Sequence, residues 1–395
     1  MKRIGYLALC FIMCSAFFSP MVAAAKEKSN RPEGMNFAPH ARSAILMEAD
    51  TGTILYEKNP DEKLPPASIT KVMTLLLIME AIERGEIKLT DKVRTSERAA
   101  SMGGSQIFLQ PGEEMTVEDM IKGIAIASGN DASVAMAEHL AGTEEAFVNR
   151  MNQRARELGM NNTHFVNSNG LPATDHYTTA RDIAIMSREL LKHDLITKYT
   201  GTYQDYLRKD TANPFWLVNT NRLVRFYEGV DGLKTGYTAE AKYCLTATAK
   251  RNNMRIIAVV MGEPDVKTRN SEISTMFNYA FSHYQVKPMY RKGETVRNIA
   301  VDKGSQPTVN VVTPQAVSLL MKRGESIEDY TQEVVVEPSV AAPVRKDQVV
   351  GHIFIRTRDG KEVNRIDLYP EQSVERAGIW EILKRTTKEV LMHNG

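Results

Sequence analysis

The chain has 395 residues, 43% hydrophobic and 25% charged, which is enough apolar material for a large core divided over two domains. Fifty Lys and Arg against forty-eight Asp and Glu leave a net charge near +2, with the basic residues spread along the sequence. Default disorder and nucleic-acid binding are both excluded, the latter because no basic stripe forms a footprint.

Met1-Lys2-Arg3, an apolar stretch from Ile4 to Phe18 too short to span a bilayer comfortably, and Ala23-Ala24-Ala25 together predict a signal peptide over 1–25, cut after Ala25. A lipoprotein signal competes, because Cys10 and Cys14 lie in the stretch, but Leu9 and Met13 are bulky where a small residue is needed. After cleavage only Cys244 remains, so no intramolecular disulfide can form and the fold rests on its core.

Residues 44–58 read as two strands around the turn Asp50-Thr51-Gly52, and Ser68 to Ala81 as a buried helix. From Thr116 to Leu191 the pattern is helical, with Thr116-x-x-Asp119 and Thr179-x-x-Asp182 as start signals. Tyr243–Ala249 and Met254–Met261 predict an antiparallel hairpin turning at Arg251-Asn252-Asn253. Ile273, Met276, Phe277, Ala280, Phe281 and Tyr284 then recur at helical spacing. Beyond Val286, short runs at 309–312, 333–336, 349–355 and 363–368 have the texture of a small all-β module. Val374 to Met392 reads as helical again, mixing Trp380 and aliphatic residues with Arg and Lys as an interfacial membrane helix does; a terminal helix docked on its own domain gives the same pattern.

Within the first helix, Ser68 and Lys71 are spaced to lie side by side just after Pro65-Pro66. A serine hydroxyl becomes nucleophilic when its proton is removed, and an amine can do this only when neutral, which burial among Val72, Leu75 and Leu76 or a second cation would favour. The plain alternative is a capping serine and a snorkelling lysine. Ser128-Gly129-Asn130 interrupts the helical region, and Lys234-Thr235-Gly236 falls on or near an edge strand; alone, each is an ordinary turn or loop. Together and in this order they match the S-x-x-K, S-x-N and K-T-G set of penicillin-binding proteins and class A β-lactamases.

On these residues the sequence resembles the low-molecular-mass penicillin-binding proteins that are D-alanyl-D-alanine carboxypeptidases. Segments such as PASITKVMTLLLIMEA, SMGGSQIFLQPGEEMTV, GIAIASGNDASVAMAE and GVDGLKTGYT are similar to those of Gram-positive spore formers. The resemblance implies an α+β fold: a transpeptidase/β-lactamase-like catalytic domain over 26–285 with an antiparallel sheet packed with helices, a β-sandwich-like domain over 286–370, and an amphipathic membrane-associating helix over 371–395. It further implies Ser68 as nucleophile, Lys71 as base, Ser128 as proton relay and Asn130 as the residue orienting Lys71 and substrate. Lys234, Thr235 and Arg269 would hold the substrate carboxylate, Gly236 would permit close approach, and the N–H groups of Ser68 and Tyr237 would form an oxyanion hole. Peptidoglycan stem peptides ending in D-Ala-D-Ala and β-lactams are the implied ligands, with no cofactor or metal. The implied location is outside the cytoplasmic membrane, peripherally attached.

The central motif reads Ser-Gly-Asn where class A β-lactamases have Ser-Asp-Asn, in keeping with the carboxypeptidases. Glu157 to Asn161 mimics a β-lactamase deacylation motif but reads as a helix end. The eight histidines lack metal-ligand spacing, and His139, His164 and His176 read as surface or core residues. Alternatives within enzymes are an endopeptidase or weak β-lactamase; outside enzymes, an envelope scaffold with a vestigial site.

Overall fold

The two apolar runs on either side of Asn252-Asn253 do form a hairpin, and both asparagines take positive φ, 48° and 65°. This two-residue turn geometry matches the natural strand twist. The computed structural model describes residues 35–380, so the signal-peptide segment 1–25 lies outside the described residues. The hairpin joins a five-stranded sheet made of β1 (Ser43–Glu48), β2 (Ile54–Lys58), β3 (Val230–Thr238), β4 (Lys242–Arg251) and β5 (Met254–Glu263), in the order β2-β1-β5-β4-β3 with antiparallel pairing throughout. The Lys-Thr-Gly strand β3 is therefore an edge strand, as its sequence context suggests.

Side-chain alternation along the central strand divides the core in two. Ile257, Val259 and Met261 face a cluster with Val72, Leu76 and Ile183, whereas Ile256, Ala258 and Val260 face one with Ile273, Met276 and Phe277. The longer helices that carry these faces are α1 (Lys71–Glu83), α2 (Val117–Ala125), α3 (Asn130–Ala141), α4 (Glu144–Glu157), α5 (Ala180–Leu190) and α6 (Val266–His283), and shorter helical turns add to them. The expected caps form, because the Thr116 and Thr179 hydroxyls accept from the N–H groups of Asp119 and Asp182. Helix α1 is buried from Lys71 through Met79, so it is a central core element rather than a surface one.

Two expectations from periodicity are corrected. The helical reading of 116–191 breaks over residues 158–179, where Gly159, Asn161, Asn162, Asn167, Asn169, Gly170 and Pro172 favour turns, and the segment crosses the mouth of α1 instead. The terminal helix read from Val374 does not begin there. Val374 is buried and exchanges both main-chain hydrogen bonds with Val344, so sheet pairing outweighs local helical spacing; within the described residues only 379–380 are helical. The remainder of that reading lies outside the described residues.

The all-β module forms with its own core around Val311, Leu319, Ile353 and Leu368. A six-stranded sheet, in the order Tyr330–Val336, Gly351–Thr357, Glu362–Pro370, Thr308–Val312, Thr295–Asp302 and Ser339–Ala341, accompanies a pair formed by Tyr284–Tyr290 and Val317–Lys322. The first of its strands starts at Tyr284, directly after the last residue of α6. Arg323 ties the junction, its guanidinium donating to the Phe281 carbonyl and its N–H to that of His283 at 2.8 Å. Among the described residues no helix is long and apolar enough to cross a membrane.

Ile257 sits at the centre of the sheet with no exposure. Ile257→Ala is expected to lower unfolding free energy by about 2–5 kcal/mol, read as a fall in the urea midpoint at unchanged slope.

Candidate active site

Helix α1 does not start as an α-helix. Residues Ala67–Thr70 form a 3₁₀ turn, in which i and i+3 eclipse, so Ser68 and Lys71 meet more directly than α-helical spacing alone would bring them. Ala67 takes a left-handed φ of 48° to aim the turn. The Lys71 Nζ lies 3.1 Å from Ser68 Oγ and 2.6 Å from each of two carbonyl oxygens, Asn130 Oδ1 and the Asn169 main chain. A neutral amine has two hydrogens and one lone pair; the two short contacts take the hydrogens, which leaves the lone pair facing the serine hydroxyl.

The electrostatics favour that neutral form. Lys71 is fully buried, and its pKa is driven well below the ordinary lysine value by desolvation first and by the nearby Lys234 cation second, against a smaller opposing effect of Asp131. Lys234 is itself buried on β3, donates to the Thr235 carbonyl at 2.9 Å, and is lowered to about 7 by burial and by Arg269. Arg269, in the first turn of α6, is buried, at 3% exposure. Its guanidinium reaches the side-chain oxygen of Asn270, and burial lowers it to about 10. Three buried basic groups, Lys71, Lys234 and Arg269, are thus linked electrostatically in sequence.

The remaining expected residues are placed as follows. Ser128 is buried with φ 65° in the break between α2 and α3, and Asn130 opens α3. The Thr235 hydroxyl donates to that of Thr220 at 2.7 Å. A Cβ on Gly236 would stand 2.9 Å from the Pro66 carbonyl oxygen, so glycine lets β3 press against the turn that carries Ser68. Tyr237 is exposed and stacks on Tyr243, ring centroids 4.4 Å apart. Glu157, the decoy, is an exposed helix-end residue bonded to Gln153 and Arg154.

Comparison with known proteins agrees with this geometry. Residues 27–265 match the family model described as D-alanyl-D-alanine carboxypeptidase, and residues 284–376 match that of the penicillin-binding protein 5 C-terminal domain. The chain belongs to the D-alanyl-D-alanine carboxypeptidase family. It is 52% identical to the D-alanyl-D-alanine carboxypeptidase DacF of Bacillus subtilis over 98% of both chains. Among solved structures it resembles penicillin-binding protein 5 from Haemophilus influenzae, with 31% identity, a TM-score of 0.68, and coverage of 85% of this chain and 98% of that one. It also resembles penicillin-binding protein D2 from Listeria monocytogenes in its ampicillin-bound form, with 28% identity, a TM-score of 0.57, and coverage of 62% and 100%.

The carboxypeptidase, a serine-type peptidase, holds its site with residues that sequence reasoning missed. Asp131 is buried and accepts from the N–H groups of Ile107, Leu109 and Ala132, which fixes the loop whose Gly103 carbonyl receives the Asn130 amide at 2.7 Å. Gly170 has φ 86°, and a Cβ there would fall 1.9 Å from the Ala67 carbonyl oxygen, so only glycine fits behind the nucleophile turn. Glu144 accepts from Ser168 N–H and Oγ, whose carbonyl in turn receives the Thr74 hydroxyl. The asparagine-glycine-rich run 167–170 was the available signal.

His176 completes the brace. The Val166 N–H donates to Nδ1 at 3.1 Å, so Nε2 carries the proton and donates to Thr70 Oγ1 at 2.8 Å, whose O–H donates to the Ala67 carbonyl at 2.9 Å. Burial lowers the His176 pKa to about 4. The unfolded chain then binds a proton near pH 6.5 that the folded chain refuses until about 4, so stability is full above 6.5 and falls between 6.5 and 4, by up to about 3 kcal/mol. Urea midpoints measured across this window are expected to decline, and His176→Gln to flatten that part of the decline.

Proposed function

We propose that Ser68 is the nucleophile that removes the terminal D-alanine from peptidoglycan stem peptides. The observation that carries this reading is the fully buried Lys71 amine, held by two carbonyl acceptors and lying 3.1 Å from Ser68 Oγ. Lys71 takes the hydroxyl proton as Oγ bonds to the carbonyl carbon of the penultimate D-alanine. The oxyanion that forms is received by the N–H groups of Ser68 and Tyr237, fixed donors at the point of charge development. Ser128 passes the proton to the departing D-alanine nitrogen as the C–N bond breaks, and water then hydrolyses the ester. Lys234, Thr235 and Arg269 hold the terminal carboxylate, for which the guanidinium fork is suited, and Gly236 lets the strand approach. Asn130 orients Lys71 and the substrate amide.

The same acyl transfer makes a β-lactam a covalent inhibitor, a reading supported by the ampicillin-bound Listeria relative. We further infer export by the signal peptide 1–25, a catalytic unit ending with α6 at His283, a β module that starts at Tyr284 and includes Val374, and peripheral membrane attachment through the C-terminal residues that follow that module.

Intact-mass analysis of the mature chain after brief exposure to penicillin is expected to give a single adduct on the peptide containing Ser68. Ser68→Ala should carry no adduct. Lys71→Arg, which keeps the charge but cannot be neutral at pH 7, should lower the acylation rate at least a thousandfold. An adduct that persists in Ser68→Ala overturns the assignment.

The acylation rate should fall as pH drops through the Lys71 pKa, because the base becomes protonated. Lys234→Met removes the neighbouring cation that depresses Lys71, so the acid limb is expected to move to higher pH. Stopped-flow acylation against pH reads the shift.

A further inference from the structure

Glu263, the last residue of β5, has no exposure, and among the described residues neither of its carboxyl oxygens receives a hydrogen bond. A carboxylate so placed costs free energy, because a charge withdrawn from water needs a donor or a counter-ion. The polar groups around it are committed elsewhere. On β2, the Lys58 ammonium uses its three hydrogens on the carbonyls of Ala38, Pro39 and Ala41. Arg42, packed where a Cβ on Gly262 would fall, donates to Glu62. Asp265 caps α6 by accepting from the Thr268 N–H and hydroxyl, and the Arg269 guanidinium donates to Asn270. On β4, Tyr243 stands opposite Glu263 and Cys244 is a buried thiol.

Glu272, one turn after Arg269 on α6, is the exception. Its carboxyl lies within hydrogen-bonding reach of Glu263. It also accepts from the main-chain N–H of His40 at 3.0 Å, from the Nδ1 of that ring at 2.7 Å and from the Ala41 N–H at 3.4 Å. These donors favour charge on Glu272 and none favours it on Glu263, so Glu263 carries a proton and donates it in a hydrogen bond to Glu272. Burial first, and Glu272 second, hold the Glu263 carboxyl far above the ordinary carboxyl range.

The place of this acid ties it to catalysis. Tyr243 pairs with Glu263 on one side and with Tyr237 of β3 on the other, so Glu263 lies two strands from β3, about 10 Å at the usual spacing. Its charge is among those that act on Arg269. Burial, and after it the Arg269 charge, bring Lys234 down to about 7.

We propose that Glu263 is a positioning residue of the site: held as a neutral acid by Glu272, it leaves the Arg269 guanidinium uncompensated, so that the Arg269 charge falls in full on Lys234, the cation that holds the substrate carboxylate. The inference rests on the proposed role of Lys234 and adds the group that governs its charge. A carboxylate at 263 would offset Arg269, and Lys234 would then keep its proton to higher pH.

The test follows acylation of the mature chain by penicillin, itself a carboxylate, by stopped flow from neutral to alkaline pH. The wild-type rate is expected to fall as Lys234 loses its proton. Glu263→Gln, neutral at every pH, should leave this alkaline limb in place. Glu272→Gln keeps an acceptor for His40 and offers an amide donor to Glu263, which then ionises; the limb should move to higher pH by about half a unit or more. Adding Glu263→Gln to that variant should cancel the move. A limb displaced by Glu263→Gln alone, unmoved in Glu272→Gln or still displaced in the double variant overturns the proposal.

Stability gives a second readout that needs no catalysis. The unfolded chain ionises Glu263 from its ordinary 4.5, whereas the folded chain keeps it protonated far above that, so the wild type loses stability as pH rises from 4.5. The urea midpoint of Glu263→Gln is therefore expected to gain on that of the wild type between about pH 4.5 and 8. A difference that stays constant over this window overturns the neutral acid and leaves the catalytic reading intact. Folded wild-type protein that is not acylated at any pH overturns both.

Discussion

One desolvated amine sets the terms for the rest of the catalytic region. An ammonium buried as deeply as Lys71 would have to be paired with a carboxylate or give up its proton more readily, and its burial and the Lys234 charge push it in the second direction. Its acceptors are neutral carbonyls, and the larger of the two charge effects on it comes from another cation. The helix that carries it must then be buried along nearly its whole length, which explains why α1 has no polar face and why helices and sheet both pack around it. Core formation and the weakening of this amine's hold on its proton are the same packing problem, because the apolar surroundings that stabilise the domain also disfavour the charged form.

Precision at the serine comes from a ring of supports that touch no reacting atom. Ala67, strained into the left-handed region, receives the Thr70 hydroxyl on its carbonyl, with Gly170 closing in from behind. His176 works as a neutral hydrogen-bond bridge, far from the acid-base role histidine often takes in peptidases. Asp131 does for the Gly103 loop what the Thr70–His176 chain does for the nucleophile turn: a buried acceptor gathers several N–H groups and fixes a backbone that carries no regular structure of its own.

How much of this was legible in the sequence follows from the range over which each feature is encoded. Ser68 and Lys71 are three residues apart and Ser128 and Asn130 two, so local geometry alone brings each pair together, and the edge placement of Lys234 followed from strand context. The hairpin at Asn252-Asn253 and the threonine caps were equally local. Lys71 and Asn169, by contrast, are 98 residues apart, and the contact is made by a main-chain carbonyl, a group that every residue possesses and no motif can announce. The 158–179 segment misled for a related reason: helical periodicity on both sides was carried across it, although its asparagines and glycines favour turns. At the other end of the chain, Val374 followed a partner strand thirty residues upstream rather than its own neighbours.

The junction between the two modules has a mechanical consequence. Helix α6 runs into the first strand of the β module with no intervening residue, and Arg323 clamps the seam from the module side. With no slack to absorb displacement, a load applied to the β module is transmitted along α6 as through a rigid shaft. Arg269 sits in the first turn of that same helix, at the opposite end of the shaft. A displacement of the β module therefore has a direct physical path to Arg269 and to the charge it places near Lys234.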